Sequence, residues 1–470
     1  MSYGIQIGSR IIRLALVATM GLSGTVASLD AQQADAGAVG QEAFRLLREY
    51  VRINTINPPG NEMRGVEFFA KLLEKEGIPY ESAESAPGRG NIWARLKGGD
   101  KPALVLLHHM DVVPADPEHW TADPLSGEVR DGFLYGRGTL DTKTLGIEQF
   151  MTFVTLHRRG VKLNRDVIFM ATADEEAGGF YGAGWMVENR RSAFEGVGLL
   201  LNEGGGGTLE DGKPRFEVEV TQKVPLWLEL EAVGQPSHGS TPHVQSAVNR
   251  LVRALYRLQT YEFAPHIVPA VDAYFRAMAP EADEFWRPRF QNMAETVKDR
   301  DALLRLQTEN PFFAAITRNT CSITILEGSS KINVVPPDAS AQLDCRLLPD
   351  QDPAAFVSEL RDVLNDQSIE IRKIMGFTPA VSTTDTDLYR AIEEVVEKNY
   401  PGAPVIPTVQ SGFTDSHFTR DLGIVSYGFS PDLLPLGDEA RVHGNDERIL
   451  VEQIKRGTRI MLELVSAVVR

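Results

Sequence analysis

Hydrophobic residues follow two different patterns along residues 41–222. The segments AFRLLREYVRI and VEFFAKLLEKEG have apolar residues at helical spacing, whereas NIWARLKG, ALVLLHH, DVIFMATA and GVGLLLN have the apolar centres of strands. Apolar strands that alternate with helices indicate a sheet covered on both faces. The pattern therefore predicts an α/β domain with three layers, α/β/α.

The pattern changes at Lys223. VPLWLELEAVG alternates apolar and polar residues, as a half-exposed strand does, and the helices SAVNRLVRALYRL and AAFVSELRDVL and the strand IEIRKIM follow. This order predicts a small α+β domain at 223–375, with helices on one face of an antiparallel sheet and a helical insertion at about 260–318. Helix and strand alternate again at 376–470, so a large domain (32–222 and 376–470) is interrupted by the small one.

The first 31 residues have the order of a secretory signal. Arg10 and Arg13 precede the apolar stretch Leu14–Leu22, and small residues continue to Ala31. The apolar stretch is shorter than the ~20 residues that span a bilayer. We expect a cleaved signal peptide at residues 1–31 and a secreted or periplasmic mature protein without a membrane span.

Length and charge limit the class of protein. A chain of 470 residues is too long for one hydrophobic core, which supports two domains. The formal net charge of -16 would repel nucleic-acid phosphates, so a nucleic-acid partner is not expected.

The two cysteines, Cys321 and Cys345, lie in predicted strands on either side of one connection. A hairpin centred near Asn333 would place them opposite each other, and an oxidising compartment would then permit a disulfide. Two buried free thiols are the alternative, because the strand register is not fixed by the sequence.

Acidic and histidine residues occur where predicted strands of one sheet end, and these are the candidate chemical groups. They are His109, Asp111, Asp141, Glu175, Glu176, Glu203 and His443. Singly, each has a structural alternative, such as a turn-forming aspartate or a surface histidine. As a set of nitrogen and oxygen ligands without cysteine, they suit a pair of zinc-like ions that activates water, which implies hydrolysis. Asp111, two residues after His109, would orient that imidazole, and His108 would be structural.

The motifs TINPPGNE, HMDVVP, GRGTLDTK, DEEAGG, NEGG and VHGNDE resemble those of the dinuclear zinc aminoacylase–carboxypeptidase family, which includes glutamate carboxypeptidase and succinyl-diaminopimelate desuccinylase. The resemblance implies a zinc-peptidase fold in which the small domain is a ferredoxin-like lid. It assigns one metal to His109 and Glu203, the other to Glu176 and His443, and the bridge to Asp141. Zinc is expected, with cobalt or manganese as alternatives.

The resemblance also assigns residues outside the metal ligands. Glu175 would be the general acid/base, and the Asp141–Thr142 peptide would be cis. Three residues of the small domain would act on the substrate. His238 in GQPSHGS would stabilise the oxyanion in the active site of a partner subunit, and Asn333 and Arg346 would bind the substrate. Gly412 in SGFTDSH is a further substrate-binding candidate. A homodimer through the small domain is expected.

These observations predict a metal-dependent hydrolase that cleaves an amide bond next to a free carboxylate. Its substrates would be small peptides, for a carboxypeptidase or dipeptidase, or N-acyl amino acids, for a deacylase. Both activities use the same residues, so the sequence does not separate them. A catalytically silent scaffold of the same fold is a third hypothesis, but it predicts missing ligands, and all of them are present.

Overall fold

The computed structural model describes residues 37–470. The predicted signal peptide at residues 1–31 lies outside the described residues. Within the described part of the chain, no helix combines the length and the apolar character that crossing a membrane requires.

The first part of the large domain alternates helices and strands. Its helices are α1 (37–51), α2 (Met63–Glu76), α3 (Lys143–Arg158) and α4 (Ala183–Asn189). Its strands are β1 (Tyr80–Ala86), β2 (Arg89–Leu96), β3 (Lys101–His109), β4 (Glu128–Arg130), β5 (Phe133–Tyr135), β6 (Arg165–Thr172), β7 (Val197–Asn202), β8 (Gly207–Glu210) and β9 (Lys213–Gln222). Short 3-10 helices lie at Pro117–His119, Glu175–Ala177 and Arg191–Phe194.

The small domain follows. Its strands and its two long helices are β10 (Val224–Val233), β11 (Ser237–His238), α5 (Ala247–Thr260), β12 (Thr320–Glu327), β13 (Val334–Val335), β14 (Asp338–Leu347), α11 (Pro353–Leu364) and β15 (Glu370–Gly376). The insertion between α5 and β12 contains α6 (Pro269–Met278), α7 (Arg287–Phe290), α8 (Met293–Thr296), α9 (Arg300–Glu309) and α10 (Pro311–Ala315).

The second part of the large domain completes the chain. Its elements are α12 (Asp387–Asn399), β16 (Val405–Gln410), α13 (Ser416–Arg420), β17 (Val425–Gly428), β18 (Leu433–Pro435), a 3-10 helix at Glu439–Arg441, β19 (Arg448–Leu450) and α14 (Val451–Val469).

The large sheet has the strand order β1-β2-β6-β3-β7-β17-β9-β8-β18, with β16 beside β9. Strand β3 is parallel to both of its neighbours. Leu104 and Leu106 of β3 pack in the core that contains Phe150 of α3, whereas Val105 packs on the other face with Met186 of α4. Because helices cover both faces, the central strands β3, β6 and β7 are apolar along most of their length, and the predicted α/β fold is confirmed.

The small domain has an antiparallel sheet in the order β12-β14-β10-β15. Burial alternates along β14, and its buried residue Leu343 shares a core with Leu251 of α5 and Leu360 of α11. One face of the sheet is thus covered by helices, which confirms the predicted α+β inserted domain.

The helical insertion lies between α5 and β12 of the small domain, and its core also packs against the large domain. Its core residues, including Phe275 and Phe290, pack with Ile406 and Val409 of strand β16. That strand belongs to the large sheet. The buried aromatic surface of five short helices requires a partner, and the apolar side of β16 supplies it.

A buried lysine at the junction of the two domains holds the C-terminal end of the insertion by hydrogen bonds. Lys223 stands between β9 and β10, and its ammonium group donates hydrogen bonds to the carbonyl oxygens of Ala315 and Arg318, both at 2.7 Å, and to the hydroxyl of Thr320 at 3.0 Å. Burial lowers the pKa of Lys223 to about 7. The three acceptors satisfy all the donors of the ammonium group.

The two cysteines face each other across the pair of strands β12 and β14. The register places Cys321 opposite Cys345, with 4.0 Å between their Cα atoms, and the structure joins them in a disulfide. Of the two alternatives that the sequence leaves open, the structure therefore contains the disulfide.

Candidate active site

Three candidate segments follow parallel strands of the large sheet. His109 is the last residue of β3, Glu203 follows β7, and Glu175 and Glu176 follow β6. Strand β3 lies between β6 and β7, so these side chains meet at one edge of the sheet. The carboxyl edge of parallel strands is the usual place for a site in such a fold.

Asp141 and His443 reach the same place by another route. Asp141 precedes α3, after a turn that leaves β5, and His443 lies in the loop before β19. Strands β5 and β19 pair in a separate three-stranded sheet, so the expectation that all ligands end strands of one sheet is wrong for these two. The Asp141–Thr142 peptide is cis, as the resemblance implies.

The ligand atoms form two triads that share Asp141. In the first, Nε2 of His109 lies 2.9 Å from Oδ1 of Asp141 and 3.5 Å from Oε2 of Glu203. In the second, Nε2 of His443 lies 3.0 Å from Oδ2 of Asp141 and 3.1 Å from Oε2 of Glu176. All the ligand atoms of each triad lie within 4.8 Å of one another. Asp141 thus offers one oxygen to each triad.

The electrostatics of the site fit two cations. Burial raises the pKa of Glu176 to about 7 and also raises the pKa of Glu203, because both carboxylates lose solvent. Oε1 of Glu176 is buried and has no hydrogen-bond partner. Divalent ions at the two triads would offset this crowding of carboxylates. The imidazole and carboxylate donors suit zinc, and they also accept cobalt or manganese.

Glu175 lies beside the triads but belongs to neither of them. Its side chain is buried, and its pKa is well above the ordinary value, first through burial and then through the negative charge of Glu203. A buried carboxylate beside two candidate metal triads, and outside both, is suited to proton transfer.

Asp111 contacts both the candidate ligand His109 and the loop of the candidate base Glu175. Nδ1 of His109 lies 3.0 Å from the carbonyl oxygen of Asp111 and 3.4 Å from its carboxylate. The same carboxylate accepts hydrogen bonds from the backbone N–H groups of Glu175 and Glu176, both at 3.1 Å. Asp111 therefore also positions the loop of the base, which the sequence did not indicate.

Glu447 is a residue that sequence reasoning missed. Its carboxylate accepts hydrogen bonds from the backbone N–H groups of Gly138 (3.0 Å), Leu140 (2.6 Å) and Asp141 (3.2 Å). It also forms a buried ion pair of 2.7 Å with Arg137, whose guanidinium group donates to the carbonyl oxygen of Gly444. Glu447 thus ties the turn of Asp141 to the loop of His443. The VHGNDE motif contains Glu447 and was the available signal.

A second missed group lies in the TINPPGNE motif. Asn57 donates a hydrogen bond of 2.8 Å to the Asp111 carboxylate. Arg89 pairs with Glu62 at 2.5 Å and with Asp174, the residue before Glu175, at 2.8 Å. This network is buried and holds Asp174, at the start of the loop that carries Glu175 and Glu176.

The small-domain candidates fall into two separate places. His238 and Asn333 lie together, because β11 pairs with β13 and the N–H group of Gly239 donates to the carbonyl oxygen of Asn333. Arg346 lies near the other end of β14, about eight residues or ~26 Å along the strand from that place. Within one chain the two residues lie in separate places, and their joint role at the substrate carboxylate stays a prediction.

Arg346 pairs with Asp344 and keeps one donor without a partner. Asp344 holds its Nε at 2.7 Å and its Nη2 at 3.2 Å, while Nη1 is buried and has no hydrogen-bond partner. The guanidinium carbon lies 5.7 Å from the ring centre of Phe413. Gly412 precedes that ring, and a Cβ atom at Gly412 would meet no atom within 4 Å. Open space thus exists beside Gly412.

The chain belongs to the peptidase family M20/M25/M40, whose family model matches residues 105–467. This family and the site together define a metal-dependent hydrolase.

Among the relatives, the chain is similar to an N-fatty-acyl-amino acid synthase/hydrolase PM20D1 of Xenopus tropicalis, with 33% identity over 79% of this chain and 74% of the relative. It is also similar to aminoacylase-1 of Sus scrofa, with 27% identity over 90% and 94% of the two chains. Its fold is similar to the crystal structure of the metallo-carboxypeptidase Sso-CP2 of Sulfolobus solfataricus, with a TM-score of 0.69, 20% identity and coverage of 90% and 98%.

Proposed function

We propose that the protein hydrolyses the amide bond of N-acyl amino acids or small peptides, next to a free carboxylate. The observation that supports this most is the pair of triads that share Asp141, with Glu175 beside them and outside both. The names of the similar relatives favour N-acyl amino acids. A carboxypeptidase or dipeptidase activity is the second candidate, which the similarity to a metallo-carboxypeptidase favours.

The chain's own residues have separate tasks in this reaction. His109, Asp141, Glu176, Glu203 and His443 would hold two divalent ions. When bound, such a pair polarises the scissile carbonyl group and lowers the pKa of water. Glu175 accepts a proton from the attacking water and transfers it to the departing nitrogen, so the C–N bond breaks and a carboxylate and an amine are released. Nη1 of Arg346 donates to the free carboxylate of the substrate.

The proposed function is tested by assaying the purified protein against N-acyl amino acids and dipeptides, before and after chelation. We expect release of amino acids, loss of activity when the metal is removed, and recovery when zinc is added to the apoprotein. Elemental analysis should find two ions per active chain. Activity that persists after complete removal of metal would contradict the proposal, and release from dipeptides alone would make the protein a peptidase.

We propose further that two chains associate through the small domain. Strand β12 is at an edge of its sheet, and the neighbouring surface exposes apolar side chains: Val252 is 57% exposed, Tyr256 68% and Leu326 64%. They lie along a groove of about 1020 Å³ between α5 and the segment 323–335. A second copy would cover this surface and pair with the free strand edge. His238 and Asn333 would then serve the site of that second copy.

Val252→Asp should therefore convert a dimer into a monomer and reduce activity about 10²-fold, the loss that removal of an oxyanion donor causes. Light scattering after size-exclusion chromatography measures the assembly, and His238→Ala should lose a similar amount of activity while remaining dimeric. Val129→Asp, which changes an exposed valine of the large domain, is the matched control. A wild-type protein that is monomeric and fully active would contradict the dimer.

We also propose that the protein is exported. The predicted signal peptide at residues 1–31 and the Cys321–Cys345 disulfide both support an oxidising destination. Fractionation of producing cells and N-terminal sequencing of the mature protein would test this, and an intact N-terminus in the cytoplasm would contradict it.

A further inference from the structure

Four phenylalanine rings form a continuous row where the two domains meet. Phe180 follows the loop of the base, Phe377 follows strand β15 of the small domain, and Phe413 and Phe418 belong to the segment before and within α13. Phe377 is in the middle: its ring centre lies 6.1 Å from that of Phe180, 5.6 Å from that of Phe413 and 5.7 Å from that of Phe418. The ring of His417 stacks on Phe377 at 3.5 Å and supports the row from within.

The row has an open end. Phe377 is buried, and Phe413 and Phe418 are half-buried, but Phe180 is 49% exposed. An aromatic ring with half of its surface in water gains free energy when an apolar group covers it. Phe180 therefore offers a surface for an apolar ligand.

One end of the row lies at Arg346, and the other end lies at the loop of Glu175 and Glu176. At one end, Arg346 approaches the ring of Phe413 at 5.7 Å and retains a buried Nη1 without a partner. At the other end, Phe180 lies against the loop of Glu175 and Glu176, since a Cβ atom at Gly178 would lie 3.0 Å from the Phe180 ring. The row thus runs from the proposed carboxylate-binding arginine to the loop that carries the proposed base.

We propose that this row binds the side chain of the amino acid whose carboxylate is held by Arg346, and that the side chain is apolar. This inference rests on the proposed function and names its substrate class: N-acyl or peptidyl derivatives of amino acids such as phenylalanine, leucine and methionine. The side chain leaves the Cα atom that lies between the carboxylate and the scissile nitrogen. A surface that extends between Arg346 and Glu175 is therefore the surface that this side chain contacts. Phe180 is the residue that determines the preference.

Kinetics with N-acetyl and glycyl derivatives of phenylalanine, alanine and glutamate test this inference. The wild type should prefer phenylalanine over glutamate at least about tenfold in kcat/KM. Phe180→Ala should lower kcat/KM for the phenylalanine substrates about tenfold, mainly through KM, and change the alanine substrates little. Phe180→Leu, which keeps an apolar surface and guards against a folding defect, should recover most of the loss.

Tyr181→Ala is the matched control. Tyr181 is the next residue and is 47% exposed, but its ring faces the guanidinium group of Arg89 at 5.7 Å. It should leave the phenylalanine preference unchanged. The inference would be overturned if Phe180→Ala lowered kcat/KM equally for the phenylalanine and alanine substrates, or if the wild type preferred glutamate. Either result would leave the proposed function standing. If the wild type with its metal hydrolyses none of these substrates, the proposed function itself fails.

Discussion

Replacement of Glu175 by glutamine is expected to lower kcat about 10³-fold, the loss that removal of a general acid/base causes. The amide has nearly the same shape but cannot accept and return a proton. Because Glu175 belongs to neither triad, the variant should still bind two metal ions. Its backbone N–H group should still donate to Asp111, so the loop should keep its position.

The adjacent residue is a control within the same loop. Glu176→Gln removes a carboxylate that lies 3.1 Å from Nε2 of His443 and should therefore lose metal as well as activity. Initial rates combined with elemental analysis of both variants distinguish the two roles. Near-normal turnover of Glu175→Gln with both metals bound would show that another group transfers the proton.

Replacement of Glu447 by glutamine is expected to weaken metal binding about 10- to 100-fold, as loss of a group behind a metal ligand commonly does. The carboxylate accepts hydrogen bonds from the N–H groups of Gly138, Leu140 and Asp141 with its two oxygens, whereas glutamine has one acceptor oxygen. The Arg137 guanidinium group would also lose its buried counter-charge, which costs about 3–5 kcal/mol. Both triads should be affected, because Arg137 also holds the carbonyl oxygen of Gly444 beside His443.

Isothermal titration calorimetry of the apoprotein with zinc measures this effect, and thermal unfolding measures the loss of stability. Glu452→Gln is the control, because Glu452 is an exposed acid of the same segment that pairs with Lys455. Unchanged zinc affinity in Glu447→Gln would mean that the turn of Asp141 keeps its shape without the carboxylate.

The sequence predicted those strands of the large sheet that are buried on both faces, because they form continuous runs of apolar residues. Strands β3, β6 and β7 are apolar runs that end at candidate ligands, and all three were located from the pattern. The domain order was also predictable, since the change from apolar runs to alternation at Lys223 marks a sheet with one exposed face. The sequence did not show that Asp141 and His443 are supplied by a second sheet, because three-residue strands such as β5 and β19 are too short for a periodicity.

The other features that the sequence did not predict depend on contacts between residues that are distant along the chain. Glu447 is one acid in a polar loop, and only the folded chain places it under the turn of Asp141. Asn333 and Arg346 are 13 residues apart in number, but an extended strand separates them in space. The contact between the insertion and strand β16 likewise depends on which apolar faces remain uncovered after both sheets have formed.

The placement of the insertion limits how the two domains can rotate against each other. The chain passes between the domains once before β10 and once after β15, and two such connections alone could act as a hinge. The insertion adds a third connection between the domains, because its core packs against Ile406 and Val409 of the large domain. Its two ends are held by the hydrogen bonds of Lys223 and by the β-bridge between Pro265 and Arg318. A third attachment should restrict the rotation that two connecting strands alone would allow. The small domain should therefore move by a short, guided sliding motion, and opening of the cleft should cost more than the same motion in a chain that lacks residues 261–318.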